Sequence, residues 1–285
     1  MTTWPADAPL LAAESLQTLL GDPHLLVVDC RHDLANPPIG RQAYAASHIP
    51  GAVFASIDED LSAPRQPHTG RHPLPTPEHF AAALGRWGFT AMSRVVAYDQ
   101  DNGTWASRLW WMLRARGHLR VQVLDGGLAA WKAIGGSTEA MVPTIAPTRV
   151  EARAFGGVIS TADVAAMVTA GHVTLFDARP ADRFAGRNET VDPVAGHVPG
   201  AISMPAAGNL GPDLRFLPAE ALRARWSGIA TRAAGAPLVA MCGSGVSACH
   251  NLLALELAGY PGARLYVGSF SEWITDPARP VATGE

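Results

Sequence analysis

One short run carries the residue types for nucleophilic chemistry: Cys242-Gly243-Ser244-Gly245-Val246-Ser247. A cysteine attacks as the thiolate, and a thiolate needs positive potential around it. Gly243 and Gly245 permit positive φ and leave backbone N–H groups uncovered. Successive N–H groups curling around one point form an anion-binding nest. A helix beginning near Val246 would aim its positive end at the same point. The loop therefore predicts a sulfur held as an anion, with the hydroxyl of Ser244 or Ser247 as a further donor. The competing reading is a buried structural cysteine beside a tight turn, which leaves both glycines unexplained.

The elements that must position this loop are written twice in the chain. Leu25-Leu26-Val27-Val28-Asp29-Cys30-Arg31 is an apolar run ending in Asp-x-Arg, and Val173-Thr174-Leu175-Phe176-Asp177-Ala178-Arg179 repeats it. His48-Ile49-Pro50-Gly51-Ala52 returns as His197-Val198-Pro199-Gly200-Ala201. Arg94-Val95-Val96-Ala97-Tyr98 pairs with Pro237-Leu238-Val239-Ala240-Met241, and Val121–Gly127 with Trp131 pairs with Arg264–Ser269 with Trp273. Helical spacing of apolar residues over Phe80–Trp87, Ala106–Arg114, Asp163–Ala170 and Asn251–Ala258 falls between these runs. Short buried strands alternating with helices predict an α/β class with a mainly parallel sheet in each half. The Gly-, Thr- and Pro-rich text between the halves reads as a linker. The expected division is residues 1–140, a linker at 141–156, and 157–285.

Duplication supplies an internal control. Aligned on the third apolar run, Asp99 stands opposite Cys242, so only the second half has a thiol followed by a glycine turn and a helix. The first half is expected to keep the architecture without the chemistry.

Composition excludes several classes. A chain of 285 residues with 48% hydrophobic residues and a net charge of −3 suits two globular domains and offers no basic stripe for nucleic acid. No stretch approaches the roughly 18 apolar residues of a membrane span. Met1-Thr2-Thr3-Trp4-Pro5 lacks the basic and apolar segments of a secretory signal, so a cytoplasmic location is expected. The three cysteines form no Cys-x-x-Cys pair and the ten histidines show no ligand-like spacing with them, so neither a metal nor a cofactor is expected. Cys249 lies about two helical turns beyond Cys242, roughly 10 Å in rise, which is outside disulfide reach. Cys249 and Cys30 read as core residues.

In these markers the chain resembles the tandem-domain rhodanese-type sulfurtransferases, from about Pro9 to Pro280. The markers are Tyr44-Ala45-Ala46-Ser47-His48-Ile49-Pro50-Gly51-Ala52, the Asp177-Ala178-Arg179 turn, and Cys242 to Ala248. The resemblance implies two tandem rhodanese-like domains, with an inactive first copy and a catalytic cysteine, Cys242, in the second. It implies covalent catalysis in two steps. The thiolate takes sulfur from a small-molecule donor as a persulfide, then passes it to a thiol, cyanide or thioredoxin acceptor. Thiosulfate-preferring members resemble Cys-Arg-Lys-Gly-Val-Thr in the loop, and mercaptopyruvate-preferring members Cys-Gly-Ser-Gly-Val-Thr. The uncharged loop here, with Ser247 for threonine, is similar to the second type. A thiosulfate-preferring enzyme and a non-catalytic protein-to-protein sulfur carrier remain the alternatives.

A donor carboxylate calls for an arginine fork. Arg179 matches the family's substrate-binding arginine, and Arg187 is a second candidate. Because Asp177-x-Arg179 recurs as Asp29-x-Arg31, an Asp–Arg pair tying each strand end to the following His-x-Pro-Gly turn is the structural reading. The resemblance also implies that His48 meets Ser244 and polarises the donor or moves a proton, whereas its equivalence to His197 makes a structural role the default reading. A cysteine phosphatase would need an arginine about six residues after the cysteine; Ala248 stands there, and no arginine lies between Cys242 and Gly262.

Overall fold

The computed structural model describes residues 8–170, 174–233 and 238–284. Met1–Pro5, Val173 and Pro237, which entered the reading above, lie outside them. The chain divides into two compact units. The first holds the described residues up to Ser62, Pro75–Gly156 and Pro212–Phe216; the second holds Ala63–Leu74, Gly157–Gly211 and the described residues from Leu217 onward. By sequence Ala63–Leu74 lies in the first half, yet its compact neighbours are those of the second unit.

Each unit carries a parallel sheet. In the first, β1 (Leu10–Leu11), β2 (Leu25–Asp29), β3 (Val53–Phe54), β4 (Arg94–Tyr98) and β5 (Val121–Leu124) stand in the order β1-β5-β4-β2-β3. In the second, β6 (Val158–Ile159), β7 (Leu175–Asp177), β8 (Ile202–Ser203), β9 (Val239–Met241) and β10 (Arg264–Tyr266) stand in the order β6-β10-β9-β7-β8. The orders coincide once β6 is matched to β1, as a duplication requires. The six apolar runs found in sequence, three in each half, supply the inner strands. All of β5, β7 and β9 is buried, which is what helices on both faces of a parallel sheet produce.

The repeat extends to side-chain detail. Trp131 Nε1 donates to Ser137 O at 2.8 Å, and Trp273 Nε1 donates to Pro280 O at 2.8 Å. Both indoles belong to the core cluster of their own unit, one with Leu16, Val96 and Tyr98, the other with Val164, Met241 and Phe270. The stretch 141–156 contains neither helix nor strand. It is strapped to the first unit by Thr148 N to Gly85 O (3.0 Å), Arg116 Nη2 to Glu151 O (2.7 Å) and the Phe155 ring against Phe80. No helix among the described residues is long and apolar enough to cross a membrane.

Candidate active site

Strand β9 delivers Cys242 to the carboxyl edge of the second sheet, where open α/β sheets bind ligands. The residue is 2% exposed. Its Sγ lies 3.1 Å from Gly245 N and 3.4 Å from Ser244 N, so two successive amides donate to the sulfur. Gly245 makes this possible: its φ is +78°, and a Cβ there would collide with the Val267 carbonyl. The helix Ser247–Leu257 follows directly, with no acidic residue in its first turn and no side-chain cap at Val246. Its positive end is thus left to whatever negative charge the loop carries.

The first unit shows what the nest is shaped for. Leu128 N donates to Asp99 O at 2.9 Å and Ala129 N to Gln100 O at 2.9 Å; Phe270 N and Ser271 N donate to Cys242 O and Gly243 O, both at 3.0 Å. This matched pairing makes Asp99 the backbone counterpart of Cys242. The Asp99 carboxylate accepts from the amides of Gly103 (2.9 Å), Trp105 (2.8 Å), Asp101 (3.2 Å) and Ala106 (3.3 Å). The same loop closes around a carboxylate in one unit and around a sulfur in the other.

A second difference lies behind the cysteine. Gly127 and Ser269 occupy matched positions and both have φ of +54°. Glycine is at ease there, whereas a serine in the left-handed region costs about 1–2 kcal/mol. Ser269 is fully buried; its hydroxyl accepts from Cys242 N at 3.1 Å and donates to Tyr266 O at 2.9 Å. The strained serine holds the backbone of the reactive residue.

The Ser244 hydroxyl is taken by His72, whose Nδ1 stands 2.8 Å away. His48 is committed inside the first unit instead. It is fully buried, its Nδ1 is 2.7 Å from Tyr44 O, and its ring stacks on Tyr44 at 4.1 Å. His197 repeats the arrangement, with Nδ1 2.8 Å from Phe184 O and the ring stacked on Phe184 at 3.7 Å. The two His-x-Pro-Gly histidines are held in the same way in the two halves, and it is the His72 ring that meets the Ser244 hydroxyl. Sequence reading passed over His72 because it lies in a loop of the half judged inactive; the one signal was the pair Arg71-His72 inside a proline-bounded segment.

Arg179, expected as a substrate contact, is held in an ion pair at the strand end. Its guanidinium is 1% exposed and forks onto Asp177, with Nε to Oδ2 at 2.9 Å and Nη2 to Oδ2 at 2.7 Å, while Nη2 also reaches Gly196 O at 2.8 Å. Arg31 does the same to Asp29 and to Ser47 O. Each pair ties a strand end to the residue before the His-x-Pro-Gly turn. Arg179 supports the loop from behind: its Cδ would lie 3.7 Å from a Cβ at Gly243. Arg187 is exposed and lines a surface cavity with Phe184, His197 and Ser203.

Charges absent from the loop arrive from elsewhere. The Arg71 guanidinium lies against Gly243, with Nη2 2.5 Å from where a Cβ would stand, and pairs through Nη1 with Asp192. Asp192 also receives Arg183 Nη2 at 3.1 Å. Burial pushes the Asp192 carboxyl above its usual range, although Arg71 and Arg183 work against it. Burial also acts to raise Glu189, but hydrogen bonds from Arg183 and from the amides of Asp192 and Val191 outweigh it and hold that carboxyl low. The remaining cysteines are fully buried. Cys249 Sγ donates to Gly245 O at 3.3 Å, and burial pushes the Cys30 thiol well up.

A family profile described as the rhodanese-like domain matches residues 12–134 and 160–276. A Pseudomonas aeruginosa protein named "Probable 3-mercaptopyruvate sulfurtransferase" is 48% identical over 283 residues, spanning 98% of this chain and 100% of its own. The thiosulfate sulfurtransferase of Gallus gallus is 36% identical over 239 residues, covering 82% of this chain and 81% of that one. Among solved structures, SseA from Escherichia coli, reported as a 3-mercaptopyruvate sulfotransferase, has a TM-score of 0.79 at 32% identity over 93% of this chain and 99% of that one.

Proposed function

The chain belongs to the family of proteins built from rhodanese-like domains, and on that premise we propose that it is a sulfurtransferase that takes sulfur from 3-mercaptopyruvate onto Cys242 and passes it to a thiol. The observation that carries this reading is the sulfur itself, buried at a strand end with two amides donating to it. Two amide donors at the sulfur are placed to hold the negative charge of a persulfide there.

In the first half-reaction the Cys242 thiolate attacks the donor sulfur. The carbon–sulfur bond breaks, and its electron pair leaves on the three-carbon fragment as the pyruvate enolate. The donor's thiol proton is released from the new persulfide, and the enolate carbon takes up one proton, giving pyruvate. His72 and Ser244 form the hydrogen-bonded pair placed to polarise the keto oxygen or relay that proton. In the second half-reaction an acceptor thiolate attacks the outer sulfur and regenerates the Cys242 thiolate. The acceptor in this reading is a small thiol, reduced thioredoxin or cyanide. Both steps balance without a cofactor. Three unbridged cysteines suit a reducing compartment, which supports the cytoplasm as the place of action.

Steady-state rates with the two donors test the assignment. The account expects kcat/KM for 3-mercaptopyruvate to exceed that for thiosulfate. A preference for thiosulfate would move the protein to the other donor class. A persulfide that formed only from a desulfurase partner would make it a carrier.

A further inference from the structure

We propose that a cavity in the first unit, walled by Arg116, Arg149 and Arg153, is a binding site for a small phosphorylated molecule. Its lining belongs wholly to the first unit, whereas the Cys242 loop belongs to the second. The cavity measures about 360 Å³, within the range of small-molecule sites. Two pieces of chain meet across it: the turn after the helix Ala106–Ala115, and the run 149–153, which has neither helix nor strand. Charge collects there without the carboxylates that would neutralise it. Arg116 is only 8% exposed, yet its guanidinium pairs with no carboxylate among the described residues. Its Nη2 donates to the Glu151 carbonyl at 2.7 Å, and its Cζ lies over the Phe89 ring at 5.5 Å. Arg149 is exposed and makes no hydrogen bond or ion pair among the described residues. Glu151 is the one carboxylate among the lining residues, and Arg153 holds it, with Nε at 3.0 Å and Nη2 at 2.8 Å.

Buried arginines are ordinarily paired, because a desolvated charge is costly. Burial first, and then the like charge of Arg153, push the Arg116 guanidinium below its usual range, with Glu151 acting against them. Arginine keeps its proton at neutral pH all the same. Burial pulls the His118 imidazole in the same wall below its usual value, so it adds no charge. The wall thus carries an excess of two positive charges. A helix C-terminus welcomes a cation, and Arg114 and Arg116 stand at one. That accounts for neither Arg149 nor Arg153, which lie outside any helix. Guanidiniums converging on one space select a group with several acceptor oxygens. A phosphate monoester brings three of them and close to two negative charges at neutral pH. Phe89 and Val150 line the same space and offer apolar surface to a short organic body. An occupant held by Arg116 on one side and by Arg149 and Arg153 on the other would pin the run 149–153 to the helix end.

Titration calorimetry on the full-length protein tests this, with glycerol 3-phosphate, inorganic phosphate and glycerol as probes at one fixed ionic strength. The ester should bind at a single site, several-fold more tightly than inorganic phosphate, and glycerol should give no binding. Arg149→Gln and Arg153→Gln should each raise Kd for the ester by about 10-fold or more, the worth of a charge-assisted hydrogen bond. Both positions are exposed, so the unfolding midpoint without ligand should stay at that of the parent, which guards against a folding artefact. The ester should raise the parent's midpoint and leave that of Arg149→Gln nearly unmoved. No saturable binding, or equal affinity for ester and inorganic phosphate, would overturn the proposal. Binding unchanged in Arg149→Gln and Arg153→Gln but lost in Arg71→Gln would also overturn it, by placing the anion at the Cys242 loop.

Discussion

His72 Nδ1 lies 2.8 Å from the Ser244 hydroxyl, and the two residues are separated by 172 positions in sequence. Ser244 also lends its amide to the Cys242 sulfur at 3.4 Å. One residue therefore couples the imidazole to the nucleophile: its backbone faces the sulfur and its side chain faces the histidine.

If this pair polarises the donor or moves its proton, its loss acts on the chemical step. His72→Ala and Ser244→Ala are each expected to lower kcat by about 10²–10⁴-fold with little change in KM. The double variant should be little worse than the worse single, because the residues work as a unit. Initial rates at saturating donor measure this. Full additivity of the two losses would speak against a coupled pair.

Ser269 offers a test that separates stability from activity. Its left-handed backbone suits glycine, as Gly127 shows at the matched position, but its hydroxyl anchors Cys242 N. Ser269→Gly should be more stable than Ser269→Ala by about 1–2 kcal/mol, since only alanine retains the strain. Both should turn over more slowly than the parent, because the amide that fixes the cysteine loses its acceptor. Denaturant midpoints and kcat, read side by side, check both halves of this expectation.

Arg179 and Arg31 provide a matched pair. Removing either guanidinium leaves a buried aspartate uncompensated, which costs about 3–5 kcal/mol. Arg179→Leu and Arg31→Leu should therefore lower the unfolding free energy by similar amounts. An Arg179→Leu protein of undiminished stability, with a raised KM alone, would make Arg179 a ligand contact rather than a structural tie.

The repeat was legible from sequence because each strand is a continuous apolar run, and a parallel sheet buried on both faces demands that. Cys242, its glycines and its counterpart Asp99 were legible because only one half departs from the shared pattern. His48 and Arg179 sit in motifs that occur twice, and their contacts recur in both halves. Arg71 and His72 carried no periodic signal: they stand in a loop of the first half, and their place beside Ser244 and Gly243 arises from tertiary packing of Ala63–Leu74 into the second unit. Ser269 was hidden for another reason, since its backbone angle, not its residue type, marks it out.

The central claim is that Cys242 carries the transferred sulfur. Mass analysis of peptides from protein mixed with 3-mercaptopyruvate, with no acceptor present, tests it most directly. The account predicts one added sulfur on the peptide holding Cys242, its disappearance when a thiol acceptor is supplied, and none in Cys242→Ser. An added sulfur on Cys30 or Cys249, or continued turnover by Cys242→Ser, would contradict it.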